Sequence, residues 1–418
     1  MKYRETQLLS EKPRTPGRLF LPSLVSSSAA TMPPTMLAGL LLIDIGRTFG
    51  RSVGVTGQIQ TVASLVGAIT AVLMGIWSVR FNHKSLLTMG LFFFSISAIG
   101  CSFASNFTMI LIAFSLTGLG GAMVSPMIYT LIATHLPLEK RAHGIGWVLT
   151  GSALIYLFGA PVSSALAEVG GWNLAFLGFA LPSALLSLVM VMKEVPAPSR
   201  SRSLHPLKNT GQYVEGFKEV FANRSATVCL ICIVLLSAVW QAIVLYGVSF
   251  FRERFLISTG FASILLVGIP VWYMVGTLVS GRMVNRFGRK PVTFFTLVVF
   301  CIYIVSFTNV LYLWLALALM WLGCLFGGMM DTAVSSLTLE QVQRFRGTMM
   351  SLNSAASNMG IALGAGVGGL ALLRWDYEGV GLALGALGIA AAILFYFLVS
   401  DPTRTRIKTV EPDNCGSL

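Results

Sequence analysis

The sequence predicts an all-α membrane protein of twelve transmembrane helices in two six-helix repeats. Composition predicts the membrane: 11% of residues are charged and 55% hydrophobic, against roughly 25% charged in a soluble domain. Mean hydropathy is +0.79. Ten stretches free of Asp, Glu, Lys and Arg predict the helices, and the loops between them hold most of the basic residues.

The ten stretches are 19–43, 52–79, 85–138, 142–167, 169–192, 225–251, 255–281, 291–330, 347–373 and 379–400. Each supplies the ~20 apolar residues that span a bilayer as a helix. Two supply enough for two crossings. The third breaks at Ala104-Ser105-Asn106-Phe107-Thr108 and the eighth at Thr308-Asn309, which brings the count to twelve. Strands are not expected, because a membrane barrel shows short alternating segments instead of long apolar runs.

With both termini in the cytoplasm, only Arg47, Arg51, Arg252, Arg254 and Arg374 of the 29 Lys and Arg fall on the outer side. That bias follows the positive-inside rule. It also accounts for the net charge of +13 without a nucleic-acid partner. Residues 1–18 are polar and basic and run into a full span, so the first helix is expected to be retained instead of cleaved. Five of the six cysteines lie in apolar runs, and Cys229-x-x-Cys232 has no second pair; these read as buried thiols, not a metal or redox site. The four histidines flank predicted cytoplasmic loops. No metal site, cofactor or enzyme active site is expected.

The chain divides into a cytoplasmic N-terminal segment 1–18, a bundle 19–193, a cytoplasmic linker 194–224, a second bundle 225–400 and a cytoplasmic tail 401–418. The linker opens Glu194-Val195-Pro196-Ala197-Pro198-Ser199-Arg200, a composition of exposed chain. The bundles repeat one another. Gly75, Arg80 and Lys84 recur as Gly281, Arg286 and Lys290, each 206 positions later, and Gly118 and Arg141 as Gly323 and Arg346, each 205 later. Parallel six-helix repeats are a transporter architecture with the substrate site near the midplane.

The loop Gly281-Arg282-Met283-Val284-Asn285-Arg286-Phe287-Gly288-Arg289-Lys290 resembles the G-x-x-x-D-R-x-G-R-K signature of the major facilitator superfamily. Its earlier copy is Gly75-Ile76-Trp77-Ser78-Val79-Arg80-Phe81-Asn82-His83-Lys84. Glycine lets helices approach closely, and basic side chains can bind helix C-terminal carbonyls. The resemblance implies a gating latch made by Gly75, Arg80, Lys84, Gly281, Asn285, Arg286, Gly288, Arg289 and Lys290. The acidic position is Val79 in one copy and Asn285 in the other, which weakens the first.

Leu116-Thr117-Gly118-Leu119-Gly120-Gly121-Ala122 resembles the family's glycine-rich fourth helix, with Phe114 where many proton-coupled members place an arginine. Gly159-Ala160-Pro161-Val162-Ser163-Ser164-Ala165 is similar to the G-P-x-x-G-G motif of drug antiporters, and Pro161 is expected to kink its helix. Gly171-Trp172-Asn173-Leu174-Ala175-Phe176 resembles the start of helix 6 in the twelve-helix drug:proton antiporter type.

Asp331 is the one acidic residue well inside a predicted span, and it reads as the proton-coupling group. A charge at the bilayer centre costs ~2.5–3.5 kcal/mol on insertion scales, so it is expected to face the protein interior. An alternative for Asp331 is contact with water, or a helix cap, near the cytoplasmic end. By comparison with the helices that line the central site in the superfamily, Tyr129, Tyr156, Trp240, Gln241, Tyr246, Trp272, Tyr273 and Asn353 are candidate substrate contacts; the alternative is packing or interfacial anchoring. Gln241 leads, since a mid-span amide needs a partner.

The expected function is secondary active transport of small organic solutes by alternating access, as efflux of lipophilic or neutral compounds coupled to a proton gradient. A metabolite importer, an uncoupled facilitator of the same fold, or a membrane sensor are the alternatives. Expected partners are a small-molecule substrate, the lipid bilayer and protons, with the protein acting as a monomer in the plasma membrane. Reporter fusions after Lys208 and after Leu418 should both read as cytoplasmic. An external signal from either would put the count wrong by an odd number of spans.

Overall fold

The computed structural model describes residue 17 and residues 19–196, 215–342 and 346–400. The expected N-terminal segment and tail lie outside the described residues except for residue 17, as do 197–214 of the linker.

The first crossing is broken into α1 (Phe20–Ala29), α2 (Met32–Leu40) and α3 (Leu42–Thr48). Pro33 and Pro34 sit at the start of α2, where a missing N–H costs least. The same prolines stand three and four residues after Ala30, so neither can donate to its carbonyl, although Ala30 is buried. A second break at Leu41 bends α3 by 65° from the helices before it. The chain returns through α4 (Val53–Thr56) and α5 (Gln58–Arg80), then α6 (His83–Ser102) and α7 (Phe107–His135). Asn106 Oδ1 accepts the Met109 N–H at 2.8 Å and caps α7.

Helix α8 (Leu138–Ala175) passes through a π-turn, Phe176–Ala180, into α9 (Leu181–Glu194). The helical stretch from His143 to Glu194 is 52 residues, about 78 Å at 1.5 Å per residue and far more than one ~30 Å crossing. It divides at Gly170 and Gly171, where Gly171 takes φ +73°, a conformation open to glycine. Pro161 lies inside α8, and the only non-helical dihedrals in that helix are at the two glycines.

The second set begins with α10 (Arg224–Arg254), capped by Asn223, and α11 (Thr259–Phe287), capped by Ser258. Helices α12 (Arg289–Thr308), α13 (Leu313–Gln341) and α14 (Arg346–Leu398) follow. The last is again two crossings, dividing at Trp375 and Asp376, with Asp376 at φ +58°. Twelve crossings result. The repeat is visible in the helix ends: α6 and α12 are both 20 residues and α7 and α13 both 29. Each pair begins 206 positions apart, 83 to 289 and 107 to 313.

Small residues bring the helices together, as packing in lipid requires. Gly360, Gly364 and Gly368 form one edge of α14 laid on α10. A Cβ on Gly364 would stand 2.7 Å from Ala238 Cα, and one on Gly368 2.7 Å from Tyr246 Cε2. Gly364→Val should therefore destabilise the protein by at least the ~1–3 kcal/mol of core overpacking, read as a lowered Tm in detergent. An unchanged Tm would mean that α10 and α14 can separate freely.

Candidate functional site

The two sets of six segments meet at the end of the bundle away from the basic loops and at its middle. The Arg252 guanidinium donates to Asp44 and to the Leu40 carbonyl. Gly54 packs on Gly369, Gly57 on the Tyr246 hydroxyl, and Gly67 on Asn358. At the basic end the long-range bonds among the described residues stay within one set. Lys84 Nζ donates to Met192 O and Val195 O, Asn223 to Gln341 O, and Gln341 to Ser400 O.

Asp331 sits beside the crossing of α11 and α13. Two glycines put it there: a Cβ on Gly276 would collide with Leu325 O, and one on Gly328 with Tyr273 O, so α11 and α13 touch backbone to backbone. Three residues beyond Gly328, Asp331 Oδ2 accepts the Tyr273 hydroxyl at 2.6 Å. Asp331 is exposed. It stands nine residues, two and a half turns, from Leu322, which is exposed on the opposite face of α13. The repeat places Ser125 where Asp331 stands, so the acid is not duplicated. Among the described residues it is the one acidic group more than two turns from a helix end or break.

Tyr273 joins the acid to α10, its ring centroid 4.9 Å from that of Trp240. Next in sequence, Gln241 is 6% exposed and its Nε2 has no hydrogen-bond partner among the described residues. Tyr129 is exposed on α7, and Tyr156 and Trp272 are half-buried against the core. Asn353 is half-buried on α14. Tyr246 is buried, its hydroxyl donating to Ala365 O at 2.7 Å. Tyr273, Trp240 and Asp331 are thus brought together, while Tyr129, Tyr156 and Trp272 are not in contact with them in any described bond or ring pair.

Of the latch residues, the surroundings of Gly75 and the side chains of Arg80 and Asn285 fall outside what is described. Lys84 caps the last turn of α9 through the two carbonyls it reaches. In the second copy, Lys290 lies over the Tyr396 ring at 5.8 Å and Arg286 over Phe287 at 5.3 Å. Arg289 Nη1 is buried with no partner among the described residues, and Gly281 faces open space. Gly288 takes φ +88°, whereas Asn82 in the first copy turns at φ −65°. That difference explains how Asn82 replaces a glycine at no strain.

Two features escaped the sequence reading. One is the Asp44–Arg252 pair, signalled only by opposite charges at the outer ends of two distant spans. The other is the polar stretch Ser351–Asn358, of which only Asn353 stood out. Ser237 and Ser357 hydroxyls lie 3.1 Å apart, and Asn358 Nδ2 donates to Ser354 O.

The sequence pattern of the Major Facilitator Superfamily matches residues 24–272 and 248–414, and the chain belongs to that family. It is a multi-pass membrane transporter of small molecules and not an enzyme. Solved structures agree on the fold. The crystal structure of a D-xylose-proton symporter superposes with TM-score 0.74 at 17% identity, covering 92% of this chain and 99% of that one. A bacterial homolog of the human lysosomal transporter Spinster, inward-facing and unoccupied, gives 0.71 at 17% identity, covering 93% and 97%. Its occupied inward-facing form gives 0.73 with the same identity and coverage.

The Gln241 amide is open to a direct test. A buried donor left unpaired costs ~1–3 kcal/mol, so Gln241→Leu should raise the Tm of the ligand-free protein by that equivalent while weakening substrate affinity. A fall in both quantities would make Gln241 a structural residue.

Proposed function

We propose that the protein is a proton-coupled secondary transporter that exports small lipophilic or uncharged organic solutes by alternating access. In this reading it acts as a monomer in the plasma membrane, with the basic loops, the 194–224 linker and both termini in the cytoplasm. The observation that carries the reading is the hydrogen bond from Tyr273 to Asp331, the one acid deep in a span among the described residues.

An ionised carboxylate only accepts hydrogen bonds, whereas a protonated one also donates. Loading Asp331 therefore changes what Tyr273 can do. Tyr273 packs against Trp240 in a tilted ring contact, so the change reaches α10 beside the Gln241 amide. With few ionisable groups in the spans, the cavity favours uncharged cargo. In this reading the basic end is cytoplasmic, and the described contacts between the two sets lie at the other end and the middle, the arrangement expected of a state that loads an exporter's cargo from inside. The similarity of Gly159–Ala165 to the drug-antiporter motif supports export.

One observation favours a second reading, import of a polar neutral metabolite. The Ser351–Asn358 stretch offers hydroxyls and amides suited to a polar neutral cargo, and the D-xylose-proton symporter has the same fold. In liposomes under an imposed proton gradient, the wild type should move solute uphill in one direction, and that direction separates export from import. Asp331→Asn should lower uphill movement at least tenfold while gradient-free exchange persists. Uphill movement at the normal rate in that variant would assign coupling elsewhere.

A further inference from the structure

We propose that Arg252, Asp44 and Tyr246 form a closure between the two sets of six segments at the end opposite the basic loops. Its release is the step that opens the transport path there. The proposal rests on the alternating-access reading but is carried by separate residues.

Three contacts build the closure, and each crosses between the sets. The first is the Arg252 fork, with Nη1 to Asp44 Oδ2 at 2.7 Å, Nη2 to Asp44 Oδ1 at 3.0 Å and Nη1 to Leu40 O at 3.1 Å. Leu40 O is available because α2 ends there and the chain turns by 65° at Leu41. The bend in the first span thus makes an acceptor, and the guanidinium uses it together with the carboxylate. A planar fork suits this geometry and an ammonium does not.

The second contact is Tyr246, six residues before Arg252 on the same helix. Its ring occupies a socket left by Gly57, Gly368 and Gly369, with the hydroxyl held by Ala365 O. A side chain on Gly57 would collide with that hydroxyl. The third is Gly54 against Gly369, where a Cβ on either residue would stand 2.5 Å from the other's carbonyl oxygen. Backbone meets backbone across the seam, so any opening at this end must part all three contacts.

The pair suits a reversible closure. The Arg252 side chain is 9% exposed and that of Asp44 30%. Water already reaches the carboxylate, so both charges can be rehydrated once the halves part, which offsets the penalty of an unpaired buried charge.

The test uses two reporter cysteines, each compared with the same protein lacking it. Thr61→Cys lies one turn inward of Gly57, where the native hydroxyl is buried without a partner among the described residues. Tyr129→Cys lies on the exposed face of α7. Asp44→Asn and Arg252→Gln should each raise labelling of Thr61→Cys by an impermeant outside maleimide at least tenfold. The same variants should lower labelling of Tyr129→Cys from the cytoplasmic side, and Arg252→Lys should fall between them and the wild type. Gly57→Val should behave as Arg252→Gln does. A rise at both reporters would signal unfolding and overturn the proposal, as would unchanged labelling in Asp44→Asn with normal flux. Reciprocal labelling in a protein that moves no solute would uphold the closure and sink the transport reading instead.

Discussion

A backbone amide that enters hydrocarbon finds no water to bond, so each N–H and C=O must be satisfied within the protein. Helices do this within a single segment, which is why the described chain is almost entirely helical. The informative places are those where the helix cannot do it. Ala30 faces two prolines, Leu40 lies at a 65° bend, and Gly170 to Gly171 and Trp375 to Asp376 end helices that would otherwise run too long. The last two lie at loop positions between crossings. The first two lie within a span, and one of them, Leu40 O, is taken up by Arg252.

The same scarcity of water governs the side chains. Lipid is as apolar as leucine, so helices gain little from burying apolar surface against each other and rely on close approach. Glycines at 54, 57, 276, 328, 360, 364 and 369 supply that approach. They also decide which polar groups meet. Asp331 reaches Tyr273 only because Gly328 and Gly276 let α11 and α13 touch. Tyr246 reaches its socket only because Gly57, Gly368 and Gly369 leave room. Packing and polar geometry are therefore one problem in this protein.

Much of the fold is legible in the sequence because its signals are local. Charge-free runs mark the crossings, and the 206-residue recurrence of Gly281, Arg286 and Lys290 reappears as helices with matched ends. The Lys84 role as a binder of helix C-terminal carbonyls is likewise legible from a basic turn beside a helix end. What was not legible depends on contacts between remote positions. Asp44 and Arg252 stand 208 residues apart, and nothing in either local sequence names the other. Tyr246 is a candidate because its helix lines the central site in the superfamily, yet its surroundings are set by Gly57 at the start of α5 and by Gly368 and Gly369 of α14. Gly170 and Gly171 are legible as glycines, but that a 52-residue helical run turns there follows from its length against the bilayer.

Helix α10 connects these observations. It carries Trp240, Gln241, Tyr246 and Arg252, so one element touches the proposed proton site, holds the unpartnered amide and supplies two parts of the proposed closure. Its 31 residues make a rod of about 46 Å with all its backbone bonds internal. Trp240 and Arg252 are twelve residues apart, about 18 Å along the axis. A rod that shifts at one of these points shifts at the other, because bending it would break bonds that have no replacement in lipid. In the proposed cycle, a change at Asp331 passes through Tyr273 to Trp240 and so bears on the fork at Asp44. A stiff element that both sites touch gives such coupling a physical carrier. The glycine edge of α14 adds the remaining condition: it lets α10 lie close, and the bonds at Ser237, Tyr246 and Tyr377 tie the two helices into one moving unit.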